Sequence, residues 1–255
     1  MPTALITGGT AGLGAEFARQ LAASGHDVVL VARDERRLAD LAQQLGTRYG
    51  VQAEALPADL TTDAGCGVVV DRLLDSQRPV DILVNNAGLG LYKVFGTGEL
   101  EDEERQLDLN VRAVLRLTHA AIRVMTGRNS GRIINLSSVA GFVPRGSNAT
   151  YSASKAWVTM FSEALAVQLH DSRVTVTAIC PGFTRTEFHE RARVDMTHVP
   201  ERMWLSAEDV VREGLADAMR GKPLSVPSRQ YRNLITAARL VPRPVLRRIM
   251  ARRAF

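Results

Sequence analysis

Cysteine is scarce: Cys66 and Cys180 stand far apart in a chain of 255 residues. Two thiols cannot build a disulfide framework, and neither has His or Cys neighbours at the spacings zinc requires. His26, His119, His170, His189 and His198 also lack a partner at metal spacing, so no metal site is expected. Long apolar runs are missing as well; none approaches the roughly 18 residues that mark a spanning helix. The opening residues Met1 to Ile6 enter a strand-like run without a charged leader, which predicts a cytoplasmic protein. No repeat, low-complexity stretch or Gly/Ser linker interrupts the chain, so a single domain over 1–255 is expected. Acidic residues disappear after Asp217, while ten basic residues follow from Arg220 to Arg253. This basic extension, residues 228–255, reads most simply as a solvated helix in a chain where Arg outnumbers Lys 29 to 3. Its functional reading is peripheral contact with an anionic membrane surface or an acidic substrate handle. Nucleic acid is not expected as a partner.

What is present is regular alternation. Short Val, Ile, Ala and Leu runs at Ala4 to Thr7, Val28 to Ala32, Gln52 to Pro57, Ile82 to Asn85, Arg132 to Leu136, Val174 to Ile179 and Leu224 to Val226 read as buried strands. Helical patterns separate them at Leu13 to Ser24, Arg36 to Tyr49, Ala64 to Ser76, Glu101 to Thr126, Tyr151 to His170 and Ala207 to Met219. This order predicts an α/β fold, a doubly wound parallel sheet of Rossmann type. The segment 183–205 is long, polar and tipped with aromatics, and a loop of that length in a compact domain predicts a substrate lid.

Thr7-Gly8-Gly9-Thr10-Ala11-Gly12-Leu13-Gly14 follows the first strand and opens a helix, the place where a dinucleotide's pyrophosphate sits. The glycines let backbone amides approach phosphate oxygens; a plain strand-to-helix turn is the alternative. The second strand ends Ala32-Arg33-Asp34. Ala32 stands where an acidic residue would hold a ribose 2′-hydroxyl, and Arg33 can pair with a 2′-phosphate, which favours NADP(H) over NAD(H). Alternatively Arg33 caps the next helix or meets Asp34 at the surface.

Tyr151-Ser152-Ala153-Ser154-Lys155 places a phenol and an ammonium about one turn apart on one helix face. A nearby cation favours phenolate, and a phenol tuned in this way can exchange a proton with a carbonyl oxygen. Asn135-Leu136-Ser137-Ser138 brings hydroxyls to the carboxyl edge of the sheet, where such folds bind ligands.

Taken together, Thr7 to Gly14, Asn85-Asn86-Ala87-Gly88, Asn110, Ser138, Tyr151 with Lys155, and Pro181-Gly182 match the short-chain dehydrogenases/reductases in order and spacing over roughly residues 3 to 220. The resemblance implies that Tyr151 is the catalytic acid/base, that Lys155 lowers its pKa and bonds the nicotinamide ribose, that Ser138 polarises the substrate carbonyl, and that Asn110 holds a relay water. It further implies cofactor contacts from Gly8, Thr10, Gly12, Leu13 and Gly14 at the pyrophosphate and from Arg33, Asp59 and Leu60 at the adenosine end. Asn86, Ala87, Gly88, Asn110, Tyr151, Lys155, Pro181, Gly182, Thr184 and Thr186 complete the set. The glycine loop lacks a basic residue, so Arg33 alone carries the NADP preference. Lid and tail are similar to bacterial ketoacyl or acyl reductase-like members, which implies a carbonyl substrate such as a 3-oxoacyl thioester or another hydrophobic ketone. A homodimer or homotetramer is also implied. The rival reading is a non-catalytic NADP(H) sensor or scaffold on the same fold.

Overall fold

The computed structural model describes residues 1–91, 93–144, 146–188, 196–197 and 199–251. Part of the expected lid (189–195 and 198, including His189 and His198) and the last four residues of the tail, with Arg252 and Arg253, lie outside the described residues.

Seven strands form one parallel sheet: β1 (Thr3–Thr7), β2 (Asp27–Ala32), β3 (Ala53–Pro57), β4 (Ile82–Asn85), β5 (Gly131–Leu136), β6 (Val174–Ile179) and β7 (Leu224–Ser225). Their order is β3-β2-β1-β4-β5-β6-β7, so the winding reverses between β1 and β4. That reversal opens a crevice at the carboxyl ends of the two strands. The strands are short and apolar because both faces are covered. Ile6, Leu30, Val84 and Ile134 pack on one face with Phe17, Leu21, Leu38 and Val211, while Leu5, Val29, Leu83 and Ile133 pack on the other with Val69, Leu73, Leu117 and Met125. Each of these large side chains contributes about 1.5 to 3 kcal/mol by leaving water.

The helices are α1 (Gly12–Ala23), α2 (Glu35–Tyr49), α3 (Asp63–Leu74), α4 (Leu100–Leu107), α5 (Val114–Gly127), α6 (Ala149–Gln168), α7 (Ala207–Met219), α8 (Arg229–Leu240) and α9 (Arg243–Ala251). Asp34, Thr62 and Ser206 cap α2, α3 and α7 by accepting the amides of Arg37, Gly65 and Asp209. The pattern over Glu101 to Thr126 predicts one helix. The structure instead divides it, with a π-helical turn at Asp108–Ala113 between α4 and α5, a widening that hydrophobic periodicity does not register. The last helical stretch of the tail is likewise two helices, broken at Val241-Pro242, because Pro242 has no amide to continue α8.

Candidate active site

α1 begins differently from its neighbours. Its N-cap Ala11 makes no side-chain hydrogen bond and its first turn holds no acidic residue. The amides of Gly12, Leu13 and Gly14 therefore keep their partial positive charge for an external anion. The glycines are required by space. A Cβ on Gly14 would lie 2.1 Å from the Gly8 carbonyl oxygen and 2.5 Å from Asn86 Nδ2. Gly8 and Gly12 take positive φ, 65° and 52°. Thr186 of the lid's first turn sits against Gly12, within 3.1 Å of where a Cβ would be. These features fit the pyrophosphate of a dinucleotide. Thr10 and Leu13 are half-buried in the same loop, and Leu60 is buried beside the adenosine end of the sheet.

Thr7 ties the two strands of the crevice together. Its Oγ1 donates to the Val84 carbonyl at 3.3 Å and accepts the amides of Asn86 and Ala87 at 2.9 and 3.0 Å. Asn86 Nδ2 returns a bond to the Thr7 carbonyl at 2.8 Å. Behind them, Asn85 Nδ2 donates to Asn135 Oδ1 at 2.9 Å, and Asn135 Nδ2 to Ser162 Oγ at 2.9 Å. Thr7 was visible only as the first letter of the glycine pattern; its bonding span of 77 to 80 residues is invisible to local reading.

At the adenosine end Arg33 is exposed and bridges no carboxylate among the described residues. Asp34 caps α2 with its own side chain, which leaves Arg33 free of the capping role. Burial opposes ionisation of Asp59, but the Thr61 amide and hydroxyl (3.0 and 2.8 Å) and the charges of Arg33 and Arg105 prevail and lower its carboxyl below the usual range. Arg37, one turn into α2, reaches across to Glu187 of the lid with two bonds of 2.9 and 3.3 Å.

At the chemical end, Tyr151 lies in the first turns of α6, 7% exposed, with the Lys155 Nζ 5.8 Å from its ring centroid. Lys155 is 5% exposed; its Nζ donates to the Leu136 carbonyl at 2.8 Å. Burial pushes its ammonium down from 10.5 to about 8. The absence of a Cβ at Gly88 lets Asn110 Oδ1 and Lys155 Nζ converge on one spot, each within 3.5 Å of it. Asn110 is fully buried in the π-helical turn, clasped by the Leu89 amide at 2.9 Å and the Leu89 carbonyl at 2.8 Å. The two serines divide their labour. Ser137 Oγ is committed to the Lys155 carbonyl and Thr159 Oγ1, both at 2.7 Å. Ser138 is half-buried and accepts only the Ala140 amide, at 3.1 Å, among the described residues, which leaves its hydroxyl proton for a ligand. Phe188 of the lid packs over Tyr151, ring centroids 6.0 Å apart.

The rim follows β6. Thr184 Oγ1 donates to the Gly182 carbonyl at 3.0 Å, and a bridge from Thr184 to Leu205 joins the two ends of the 183–205 segment. The Pro181 carbonyl accepts the Val139 amide at 3.1 Å, tying this loop to the Ser138 turn. Tyr231 of α8 is the residue sequence reading missed. Its ring fills the space a Gly182 side chain would occupy, and its hydroxyl accepts the Phe183 amide at 3.1 Å and donates to the Met203 carbonyl at 2.8 Å. Phe183, Met203 and Leu205 pack with it against Cys180 and Ile235. Much of the described apolar surface of the 183–205 segment therefore anchors it to its own domain, and Phe188 packs instead against Tyr151.

The structure thus gathers Asn110, Ser138, Tyr151 and Lys155 around one crevice, with the glycine loop, Asn86 to Gly88 and Pro181 to Thr186 along it. A match to the short chain dehydrogenase family model covers residues 2–197. A 3-oxoacyl-acyl-carrier-protein reductase from Aquifex aeolicus is 33% identical over 72% of this chain and 74% of that one. A short-chain dehydrogenase from Sphingobium yanoikuyae, solved in complex with NADPH, is 37% identical with a TM-score of 0.86 over 94% of each chain. A short-chain dehydrogenase/reductase from Burkholderia phymatum, solved in complex with NAD, is 25% identical with a TM-score of 0.81, covering 94% of this chain and 92% of that one.

Proposed function

The chain belongs to the short-chain dehydrogenase family, and on that premise we propose that it is a carbonyl reductase that takes NADP(H) in preference to NAD(H) and acts on a hydrophobic or 3-oxoacyl-type ketone. The observation that carries the reaction is the buried Lys155 ammonium one turn from Tyr151, converging with Asn110 above Gly88. A bound nicotinamide supplies the hydride that the carbonyl carbon receives. The remaining work belongs to the protein. Tyr151 Oη delivers a proton to the carbonyl oxygen as the alcohol forms, and Ser138 Oγ donates a hydrogen bond to that oxygen. Lys155 favours the phenolate that Tyr151 becomes. Asn110, through its side chain and the Leu89 backbone it holds, provides a polar spot for a water that returns the proton.

The preference for NADP(H) is supported by Arg33 and by the absence of a carboxylate at Ala32. Both nucleotides appear among solved relatives, so Arg33 is the residue on which the choice turns. The substrate reading is supported by the named activity of the Aquifex relative and by Phe188 over Tyr151. We assign residues 183–205 as the lid and 228–255 as the tail of a single domain. The exposed Leu115 of α5 and Met160 and Val167 of α6 support a homodimer or homotetramer paired through those helices.

The deciding experiment follows NADPH oxidation by the wild-type protein and Tyr151→Phe against ketones and 3-oxoacyl thioesters of increasing chain length. Wild-type turnover should rise with chain length. Tyr151→Phe should bind NADPH with unchanged affinity yet lose turnover by about three orders of magnitude or more. Tight NADPH binding without turnover of any carbonyl would instead identify a sensor.

A further inference from the structure

We propose that α9 is an anchor that lays the rim of the active site against an anionic membrane surface. At 100° per residue, Val245, Leu246, Ile249 and Met250 occupy one side of α9, and Arg243, Arg247 and Arg248 the other. No residue of α9 is buried, and Val245 and Ile249 are 43% and 42% exposed. Leu240, just before the break, is 81% exposed. Leu246 and Met250 are half-buried, and the apolar edge that Val245 and Ile249 leave open on this short helix is a surface for something else.

Charge selects the occupant. Basic residues closer to the core are paired: Arg220 and Lys222 with Asp217, and Arg232 with Glu213. Arg243, Arg247 and Arg248 bridge no carboxylate among the described residues, and the chain offers none beyond Asp217. A second copy docking tail to tail would bring like charges together. A polyanion such as nucleic acid would answer the arginines but leave Val245 and Ile249 in water. A bilayer bearing anionic headgroups answers both, taking the apolar face into the headgroup boundary while the arginines stay among phosphates.

The anchor's position gives the contact a role. α8 is fixed to the protein by Tyr231 and Ile235, 1% and 5% exposed, and Tyr231 grips Gly182, Phe183 and Met203. A membrane-held α9 therefore tethers, through α8, the domain that carries the lid's base beside the lipid in which a hydrophobic ketone partitions. The membrane contact stands independently of the proposed reaction.

Flotation of the full chain with vesicles tests it, comparing phosphatidylcholine alone with phosphatidylcholine plus phosphatidylglycerol at low and high salt. Two paired variants, Val245→Asp with Ile249→Asp and Arg247→Glu with Arg248→Glu, separate the faces. Neither touches the crevice, so turnover of a soluble ketone in buffer should stay at the wild-type rate and report a folded protein. The wild type should partition to anionic vesicles at least about tenfold better than to neutral ones, and each variant should lose about tenfold or more. Equal partitioning to both lipids, or anionic binding that survives Val245→Asp with Ile249→Asp, would overturn the anchor. So would duplex DNA displacing the protein from vesicles, or a fall in oligomer size on the apolar-face substitutions without lipid, which would assign the face to a second copy.

Discussion

On the floor of the crevice, Thr7, Asn85, Asn110 and Ser137 are buried, with Asn86 half-buried beside them, and each is hydrogen-bonded to a neighbouring segment. The rim is tied by exposed ion pairs: Arg37 to Glu187, Arg185 to Glu201 and Arg232 to Glu213. Exposed pairs of this kind contribute about 0 to 1 kcal/mol each and can open and re-form. A buried network loses far more when one member is cut, because its partners are left unsatisfied. The floor is therefore suited to fixing reacting atoms, and the rim to admitting and releasing a cofactor and substrate without disturbing them.

The contrast is broken most severely at Gly14. Its replacement by Ala puts a methyl group on the Gly8 carbonyl, which is backbone and cannot rotate aside. Gly14→Ala should weaken NADPH binding by at least about a hundredfold and lower the melting temperature, read by fluorescence titration and thermal unfolding. Arg33→Ala should raise the Kd for NADPH by about ten- to a hundredfold while leaving NADH unchanged; an equal effect on both would remove the 2′-phosphate assignment.

The pH profile tests the floor without a substitution. Lys155 titrates at about 8, so ketone reduction should fall about tenfold between pH 7 and 9 as the ammonium that favours phenolate is lost. Stability should move the other way. The folded pKa lies below the ordinary 10.5, so between about pH 8 and 10.5 the unfolded chain binds more protons and the native state gains on its rival. Denaturant titrations at pH 7 and 10 read that gain. The smallest effect is expected at the rim: Arg37→Ala should change the melting temperature by about 2 °C or less, while a drop comparable to Gly14→Ala would mean the rim is as fixed as the floor.

This division also explains what the sequence made legible. Strands and the glycine loop are local patterns of apolar periodicity and spacing, and all seven observed strands, β1 to β7, agree with the reading within a residue. The Tyr151 and Lys155 pair is legible for the same reason, four residues on one helix. Contacts that join distant segments were not: Arg37 and Glu187 are 150 residues apart, and Tyr231 meets Phe183 across 48. Neither residue has an unusual neighbour in sequence. The π-helical turn escaped because one added residue per turn blurs the apolar stripe without erasing it.

That turn makes the helical segment from Leu100 to Gly127 depend on how it is wound in a way few helices do. An α-helix advances about 100° per residue, so winding these same residues as an ordinary helix through Asp108–Ala113 would rotate everything on one side of the turn by about that angle. Either Asn110 would swing away from Leu89 or the face of α5 that buries Leu117 and Met125 would turn toward water. The widened turn is what lets a single continuous rod serve two masters, a polar crevice at one end and an apolar sheet at the other, in phases that a uniform helix could not satisfy together.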